Sequence, residues 1–546
     1  MYDSRNSWPL LRIVFACAIF SAALGAGHRA NALTCSVAKH AAPTDADNAM
    51  LAGDFDKAAG LYKAALTAHP GDADAQLGLI HALLRQQKIE EATAVLKDAT
   101  QAAPKSAALI TARGEIEFAR GDLWLVEPTV VESAKIDPCN ARTRLLFARI
   151  LEATSRFATA KQQITLAHEF DPADPEIRLA WIRTLPIPQR ITELDSYLSA
   201  PSGNDAIATA VLHAEIDRLK QVKDEPAHEC KLVSASPSAK IPIIRLMGYN
   251  TRTRAYGLEV GLNGSPTRLQ IDTRGAGITV FKPAADRANV KKTGIEAKPS
   301  PATMGKSTYV AVADSVKIGD LEFKNCAVNV VDSASPFDDG VGFIGLDVFS
   351  DFLVTADFPM RTIETAPLPA KPGAPSETPA LSTIAADYNP LAPSAGAPAD
   401  RYLAPELKDY SQIYRAGHDL LLPTSLAPGN IKLFVPDEAQ EGLTITREAA
   451  AAVTKVHEQP NLEFGGGKTF VAEDLTLNFV HVEQKLAAIV TDTSIASKIA
   501  GTTISGFIGS RTLNLLTLHL DYRDGLLKSD FVPGRGYKFD GNVISR

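Results

Sequence analysis

The sequence predicts a multidomain protein: an α-solenoid followed by an all-β region of two similar lobes. Four prolines that each follow a helical pattern are spaced 34 residues apart, at Pro70, Pro104, Pro138 and Pro172. Further along, the tetrapeptide Gly342-Phe343-Ile344-Gly345 recurs 164 residues later as Gly506-Phe507-Ile508-Gly509. A fixed helical period indicates stacked units, and a duplicated strand pattern indicates two copies of one β unit.

The composition is that of an ordinary soluble globular protein. The chain has 546 residues, 22% of them charged and 45% hydrophobic, with a net charge of -7. Such a length is too great for one hydrophobic core, so several domains are expected. No excess of basic residues points to a nucleic-acid partner.

The first 32 residues have the pattern of an export signal. Arg5 and Arg12 precede the apolar run 13–24, and Ala30-Asn31-Ala32 provides the small-x-small pattern of a cleavage site. We expect cleavage after Ala32 and a product that is periplasmic or secreted. No later stretch is long and apolar enough to span a bilayer, so no stable membrane span is expected after cleavage.

Four cysteines remain after the expected cleavage, namely Cys35, Cys139, Cys230 and Cys326. An oxidising compartment favours disulfides, but spacing alone does not assign the partners. A bond between Cys230 and Cys326 would tie the connector to the first lobe. Buried free thiols are the alternative.

The repeated prolines are accompanied by repeated small residues. Ala58, Tyr62 and Ala65 stand 12, 8 and 5 residues before Pro70, and similar triads precede the second and fourth prolines. A period of 34 residues resembles that of the tetratricopeptide repeat, in which two helices form one unit. The resemblance implies a surface on the solenoid that binds a protein or peptide partner.

After Cys230 the pattern changes to short β-branched strands and glycine turns. One predicted hairpin has Asn263-Gly264 as its turn, and its second strand ends at Asp272. The 164-residue duplication predicts an equivalent aspartate near position 436, and Asp437 ends the apolar run 433–436. The sequence therefore predicts two equivalent aspartates at the ends of two strands.

A strand ending in Asp272-Thr273, followed about seventy residues later by Phe-Ile-Gly345, resembles the retropepsin-like aspartic peptidases. Asp437 and Gly509 repeat the pattern, so the β region is similar to a single-chain pseudo-dimer of that fold. The whole chain is similar to bacterial exported proteins that combine tetratricopeptide repeats with an aspartyl-peptidase-like region.

This resemblance implies peptide hydrolysis in the cleft between the lobes, by Asp272 and Asp437 with a water molecule and without metal or cofactor. The two carboxylates would share one proton, one activating water and the other polarising the peptide carbonyl. Thr273 would brace the two turns, and Gly275 stands where the family has a small residue. The expected flap tips that cover the cleft are Gly305 in the first lobe and Gly466 and Gly467 in the second. Exposed turns are the alternative interpretation of these glycines.

The sequence departs from the family pattern at both turns. Arg274 stands where glycine is expected, and Glu438 and Ala439 replace threonine and glycine in the second lobe. An arginine near the aspartates would favour their ionised forms and oppose a shared proton. The competing hypothesis is therefore a catalytically inactive binding scaffold, in which Asp272, Arg274, Asp437 and Glu438 form an ion-pair cluster between the lobes.

The predicted boundaries follow the composition. They are 1–32 for the signal peptide, 33–200 for the solenoid, 201–247 for a helical connector and linker, 248–368 for the first lobe, 369–412 for a proline- and alanine-rich linker, 413–535 for the second lobe and 536–546 for a C-terminal tail.

Overall fold

The computed structural model describes residues 35–225, 228, 230–248, 253–297, 306–336, 340, 342–371, 400–464, 467–479 and 482–531. The predicted signal peptide, the centre of the predicted linker and the C-terminal tail lie outside these residues. In the described part, no helix has the length and apolar composition that a membrane crossing requires.

The N-terminal region is a helical solenoid. Its helices are α1 (Asp45–Leu51), α2 (Phe55–Ala68), α3 (Ala73–Arg85), α4 (Ile89–Ala102), α5 (Ala107–Arg120), α6 (Leu123–Ile136), α7 (Ala141–Ala153), α8 (Phe157–Phe170), α9 (Pro175–Arg183), α10 (Ile187–Leu198) and α11 (Ala206–Val222). Helices α3, α5, α7 and α9 begin 34 residues apart, and so do α2, α4, α6 and α8. The predicted repeat is confirmed.

Each repeat begins with the same local chemistry. The residues that cap α3, α5, α7 and α9 are Asp72, Ser106, Asn140 and Asp174, and each side chain accepts a hydrogen bond from a backbone N–H of the first helical turn. Such caps satisfy donors that a helix start otherwise leaves unpaired. Close packing comes from small residues, since Ala58, Ala92 and Ala160 are fully buried.

The first β lobe follows the solenoid. Its strands are β1 (Lys231–Leu232), β2 (Ala239–Pro242), β3 (Ile244–Met247), β4 (Thr253–Leu262), β5 (Ser265–Asp272), β6 (Ile278–Phe281), β7 (Lys291–Glu296), β8 (Thr308–Ile318), β9 (Leu321–Val331), β10 (Gly342–Gly345), β11 (Phe352–Asp357) and β12 (Thr362–Pro367), with helix α12 (Lys282–Arg287) after β6. The main sheet has the order β1-β9-β6-β10-β5-β4-β8-β7, and β3 pairs with β4.

The second lobe repeats this plan. Its strands are β13 (Ser411–Gln412), β14 (Tyr414–Ala416), β15 (Asp419–Ala427), β16 (Asn430–Asp437), β17 (Leu443–Ile445), β18 (Val456–Phe464), β19 (Gly467–Phe479), β20 (Val482–Val490), β21 (Gly506–Gly509), β22 (Leu516–Asp521) and β23 (Leu526–Phe531), with helices α13 (Arg447–Ala451), α14 (Ser494–Ala500) and α15 (Ser510–Leu513). Strand β10 is parallel to β5 and antiparallel to β6, just as β21 is parallel to β16 and antiparallel to β17.

A six-stranded sheet joins the two lobes, in the order β13-β23-β22-β11-β12-β2. At its centre, Leu353 pairs with Asp521 and Asp357 pairs with Thr517. Positions 353 and 517, like 357 and 521, are equivalent in the duplication, so each lobe presents the same strand to the other. This reciprocity is the mark of a two-fold interface. The α-solenoid and the two-lobed all-β region are thus both present.

The stretches predicted as connectors contribute to this architecture. The stretch 201–247 contains α11 and strands β1 to β3, and β2 extends the joining sheet by pairing with β12. In the stretch 369–412, β13 pairs with β23 at the other edge of the same sheet.

Two disulfides join distant parts of the chain. Cys230 is bonded to Cys326, which ties the segment before β1 to β9, and Cys35 is bonded to Cys139 in the solenoid. The structure therefore contains the cross-links that spacing left open, and these cysteines are not free thiols.

The solenoid packs against the β region. Thr503 N donates to Ala119 O at 2.9 Å, and Thr502 Oγ1 donates to Phe118 O at 2.7 Å. A shared apolar cluster joins α6 and α7 to the second lobe, and it includes Val126 and Phe507. On the first lobe, Glu296 N donates to Gln221 Oε1 of α11 at 2.8 Å. The repeats are thus held against both lobes.

A buried carboxyl pair lies at the end of β22 and in the turn that follows it. Asp521 and Asp524 are almost fully buried, and Asp524 N donates to Asp521 Oδ1 at 3.0 Å. Burial first, and then the charge of Asp524, raise the pKa of Asp521 to about 6 from an ordinary value of 3.8. Because the pKa of Asp521 is higher in the folded than in the unfolded protein, the fold favours the neutral form of this carboxyl. The contribution of Asp521 to the stability of the fold is therefore greatest at low pH, and it is lost as the pH rises towards and through 6.

We predict that Asp521→Asn stabilises the protein at about pH 8, because it removes the cost of ionising this buried carboxyl, which is about 3 kcal/mol. Thermal unfolding measured between about pH 4 and pH 8 should show the gain shrinking towards the acid end. Asp357→Asn is the matched control, since Asp357 holds the equivalent turn by accepting from Met360 N at 2.9 Å. An Asp521→Asn protein that unfolds more easily than the natural chain at pH 8 would contradict the prediction.

Candidate active site

The two aspartates occupy equivalent positions in the lobes. Asp272 ends β5 and pairs in parallel with Gly345, while Asp437 ends β16 and pairs in parallel with Gly509. A Cβ at Gly345 would overlap Gly275 O, and a Cβ at Gly509 would overlap Gly442 O. Glycine is therefore required at both positions because the turn that follows each aspartate packs directly on it.

Thr273 joins the two turns. Its Oγ1 donates to Pro436 O at 2.8 Å and accepts from Glu438 N at 3.0 Å, and the residue is buried. At the equivalent position of the second lobe, Glu438 Oε1 accepts from Tyr256 N at 3.3 Å. Each turn therefore bonds to the backbone of the opposite lobe, but with different side chains.

The Asp272 carboxylate is held by its own turn. Its Oδ1 accepts from Arg274 N at 3.0 Å and from Gly275 N at 2.8 Å. A Cβ at Gly275 would overlap this carboxylate, which explains why a glycine is needed one position later than in the family pattern. Arg274 fits at the preceding position because its backbone N–H donates to Asp272 Oδ1 while its side chain extends to Asp419.

The Asp437 carboxylate has a different environment. Its Oδ1 accepts from Ala439 N at 3.2 Å, and its Oδ2 accepts from Gln440 Nε2 at 3.0 Å. The same Oδ2 lies 3.6 Å from Arg274 Nη1. Asp437 thus faces an amide and a guanidinium.

Arg274 reaches from the first lobe into the second. Its Nε and Nη2 donate to the two carboxylate oxygens of Asp419, each at 3.1 Å, and its guanidinium lies 5.0 Å from the centre of the Phe507 ring. We call Arg274, Asp419 and Asp437 the arginine clamp. The sequence predicted an ion-pair cluster here but did not identify Asp419, because no sequence pattern links β15 to the Asp272 turn.

The arginine clamp gives Asp272 and Asp437 different electrostatic environments. Burial is the largest influence and raises the pKa of Asp272, and the charge of Asp437 raises it further, against the opposing effect of Arg274 and two backbone N–H groups. Burial lowers the pKa of Arg274, but the hydrogen bonds and charges of Asp419 and Asp437 outweigh it, so this pKa is raised. Arg274 therefore remains a fixed cation beside Asp437.

A second contact between the lobes lies next to the clamp. Asp347 is buried, its Oδ1 accepts from Gly277 N at 2.9 Å, and its Oδ2 lies 3.4 Å from His418 Nδ1. His418 and Asp419 are neighbours at the turn between β14 and β15. Two successive residues of the second lobe, His418 and Asp419, therefore contact the first lobe at Asp347 and Arg274. The sequence did not predict these contacts.

The predicted flap tips are only partly described. Gly305 and Gly466 lie outside the described residues, while Gly467 begins β19 and pairs with Phe464 at the end of the β18–β19 hairpin. Within the described ranges, no cluster of three or more histidine, cysteine or acidic residues is arranged to hold a metal ion.

The repeat region matches a known family model. The model described as "Tetratricopeptide repeat" matches residues 49–116. No curated protein matches the chain.

Solved structures resemble separate parts of the chain. A thermophilic TPR protein from Thermus thermophilus is 16% identical, with 31% of this chain and 91% of that chain covered and a TM-score of 0.25. A retropepsin-like aspartic protease from Rickettsia conorii is 17% identical, with 25% and 96% covered and a TM-score of 0.19. PilF of Pseudomonas aeruginosa is 15% identical, with 33% and 82% covered and a TM-score of 0.23. At these values the likenesses say nothing of this chain's activity.

We predict that Thr273→Val lowers the free energy of unfolding by about 2 kcal/mol, because it leaves two buried backbone groups without their partner. Urea unfolding followed by far-ultraviolet circular dichroism would measure the change. Thr273→Ser keeps the hydroxyl and should recover most of the loss. Equal stability of the valine variant and the natural chain would show that the bridge does not hold the turns together.

Proposed function

We propose that this protein is an exported scaffold that binds a protein or peptide partner and leaves it intact. The observation that carries the proposal is the arginine clamp, which places a fixed cation 3.6 Å from one of the two aspartates. The tetratricopeptide repeats supply the binding function, since repeats of this kind generally mediate contacts between proteins.

The clamp supports binding rather than hydrolysis for a chemical reason. An aspartic peptidase needs one proton shared between two carboxylates, so that one accepts a proton from water while the other polarises the carbonyl. In this protein a guanidinium that is bonded to Asp419 also lies 3.6 Å from Asp437, and a cation beside such a carboxyl pair works against a shared proton.

Export to the periplasm or to the outside of the cell is part of the proposal. It is supported by the N-terminal signal pattern and by the two disulfides, Cys35–Cys139 and Cys230–Cys326. Structural disulfides persist in oxidising compartments and are rare where thiols are kept reduced.

Peptide hydrolysis by Asp272 and Asp437 is the second candidate function. It is favoured by the Thr273 bridge between the two turns and by the raised pKa of Asp272, which is the behaviour of the carboxyl that would carry the shared proton. In this mechanism Asp437 would accept the proton of the attacking water, and Asp272 would donate its proton to the carbonyl oxygen.

We predict that the mature chain binds peptides from a mixed library and returns them uncleaved between about pH 3 and pH 8, because the clamp opposes the shared proton. Mass spectrometry of the peptides that the protein retains would measure binding. Spectra of the library before and after incubation would measure cleavage. Asp272→Asn and Asp437→Asn are the matched variants. Cleavage by the natural chain that disappears in both variants would establish the second function instead.

Replacing the clamp's cation gives an independent comparison. Arg274→Gly restores the glycine of the family pattern and removes the charge beside Asp437. Cleavage that appears in this variant, but not in the natural chain, would identify Arg274 as the group that suppresses hydrolysis. Binding without cleavage in both proteins agrees with a scaffold.

A further inference from the structure

The first described residues of the chain lie across the solenoid. We call residues 35–43 the N-terminal strap, which ends just before Thr44, the residue that caps α1. At its other end, a disulfide joins Cys35 to Cys139 in the turn between α6 and α7. The strap therefore connects the start of the first helix directly to a turn 104 residues away from Cys35 along the chain.

The strap lies over the face of the solenoid that α3, α5 and α7 form. Ala38 N donates to Phe170 O at 2.7 Å, and His40 Nε2 lies 2.9 Å from Asp171 Oδ1. Between the strap and the helices is a cavity of about 380 Å³, lined by Ser36 and Ala38 and by residues of all three helices. The strap thus bridges this face without filling the space below it.

The same helices line a second cavity, of about 850 Å³, between the solenoid and the second lobe. His81, Glu115 and Arg142 line both cavities, so the two are neighbouring parts of one groove. The second lobe covers one part with residues 415–417 and 498–501, and the strap covers the other. Both parts of the groove are therefore covered by the chain itself.

The two covers are attached in different ways. The second lobe shares with the solenoid the apolar cluster that includes Val126 and Phe507. By contrast, every residue from 36 to 43 is exposed, and Val37 is 55% exposed. Because the strap buries little apolar surface, it gains little from the hydrophobic effect and depends on its covalent tether. Without the tether it would be a chain terminus, which is poorly ordered unless something fixes it.

The two disulfides of the protein differ in their access to solvent. Cys230 and Cys326 are 2% and 0% exposed and belong to the apolar core of the β region. Cys35 and Cys139 are both partly exposed. A thiolate has to reach a sulfur atom in order to attack it, so a reductant meets the strap disulfide far more readily than the buried one.

We propose that Cys35–Cys139 is a redox-controlled site, at which reduction releases the N-terminal strap and opens the groove beneath it. This inference rests on the proposed binding function, because it states what controls the access of a partner to the repeats. The bond that closes the strap is the one that a reductant can reach in the folded protein, and the cover that it holds has little other attachment.

The reaction is a thiol–disulfide exchange with a dithiol reductant. One thiolate of the reductant attacks a sulfur of the Cys35–Cys139 bond, that S–S bond breaks, and a mixed disulfide forms while the other cysteine leaves as a thiolate. The second thiol of the reductant then attacks the mixed disulfide. The reductant is thereby oxidised to a disulfide, and its two protons pass to the two cysteines, which end as thiols.

The first measurement is the order of reduction in the folded, full mature chain. Dithiothreitol is added in increasing amounts without denaturant, and the free thiols are alkylated and identified by mass spectrometry. We expect the strap cysteines to be labelled before Cys230 and Cys326, with an unchanged far-ultraviolet circular dichroism spectrum. Hydrogen exchange at Ala38 should rise at the same step, because its N–H loses the carbonyl of Phe170. Labelling of all the cysteines together, or unchanged exchange at Ala38, would overturn the inference.

The second measurement is the retention of a mixed peptide library, at a subsaturating concentration, by the same chain before and after that reduction. We expect retention to rise about tenfold, which corresponds to a closed strap that leaves about a tenth of the molecules competent to bind. The double variant Cys35→Ser/Cys139→Ser lacks the tether. It should retain peptides at the higher level both with and without dithiothreitol.

The outcomes separate this inference from the proposed function. Equal retention by the oxidised chain, the reduced chain and the double-serine variant would overturn the role of the strap and leave the scaffold function intact. A rise on reduction that the double-serine variant also shows would overturn it too, since another group would then be responsible. Failure of all three to retain any peptide would reject the proposed function, and this inference with it.

Discussion

The antiparallel pairing of β11 with β22 is the constraint on which the candidate site depends. Thr355 and His519, which are equivalent in the duplication, face each other in this pair, and Thr355 Oγ1 lies 3.0 Å from His519 Nδ1. The two-fold relation between the lobes therefore passes between these residues. Once the register is fixed, the turns after β5 and β16 must face each other, and Thr273 can reach Pro436.

Structural elements that repeat along the chain could be predicted from the sequence. Contacts between the lobes, and between the solenoid and a lobe, could not. The proline period located the helices, and the duplicated Phe-Ile-Gly located Asp437 because a parallel pairing with glycine fixes the strand end. Asp419 could not be predicted, since it meets Arg274 only when the lobes close. The docking of Thr503 on Ala119 likewise follows from the complementary shapes of two domains, which one sequence does not display.

The two lobes have the same topology but have diverged in chemistry. Where the first lobe has Thr273, the second has Glu438, and where the turn after β11 has Met360, the turn after β22 has the buried Asp524. A homodimer must carry any change in both copies, whereas a duplicated chain can change one copy alone. Arg274 is such a change, since it occupies one turn and finds its acidic partners in the other lobe.

The turn between β14 and β15 forms a common wall for two separate parts of the molecule. Ala416 and Gly417 line the cavity of about 850 Å³ between the solenoid and the second lobe, and the next two residues contact Asp347 and Arg274 of the first lobe. It is a two-residue turn in which Gly417 has a φ of +61°, in the left-handed region that favours glycine. The position of this one turn therefore sets both a wall of the cavity and the contacts that Asp347 and Arg274 make with the second lobe.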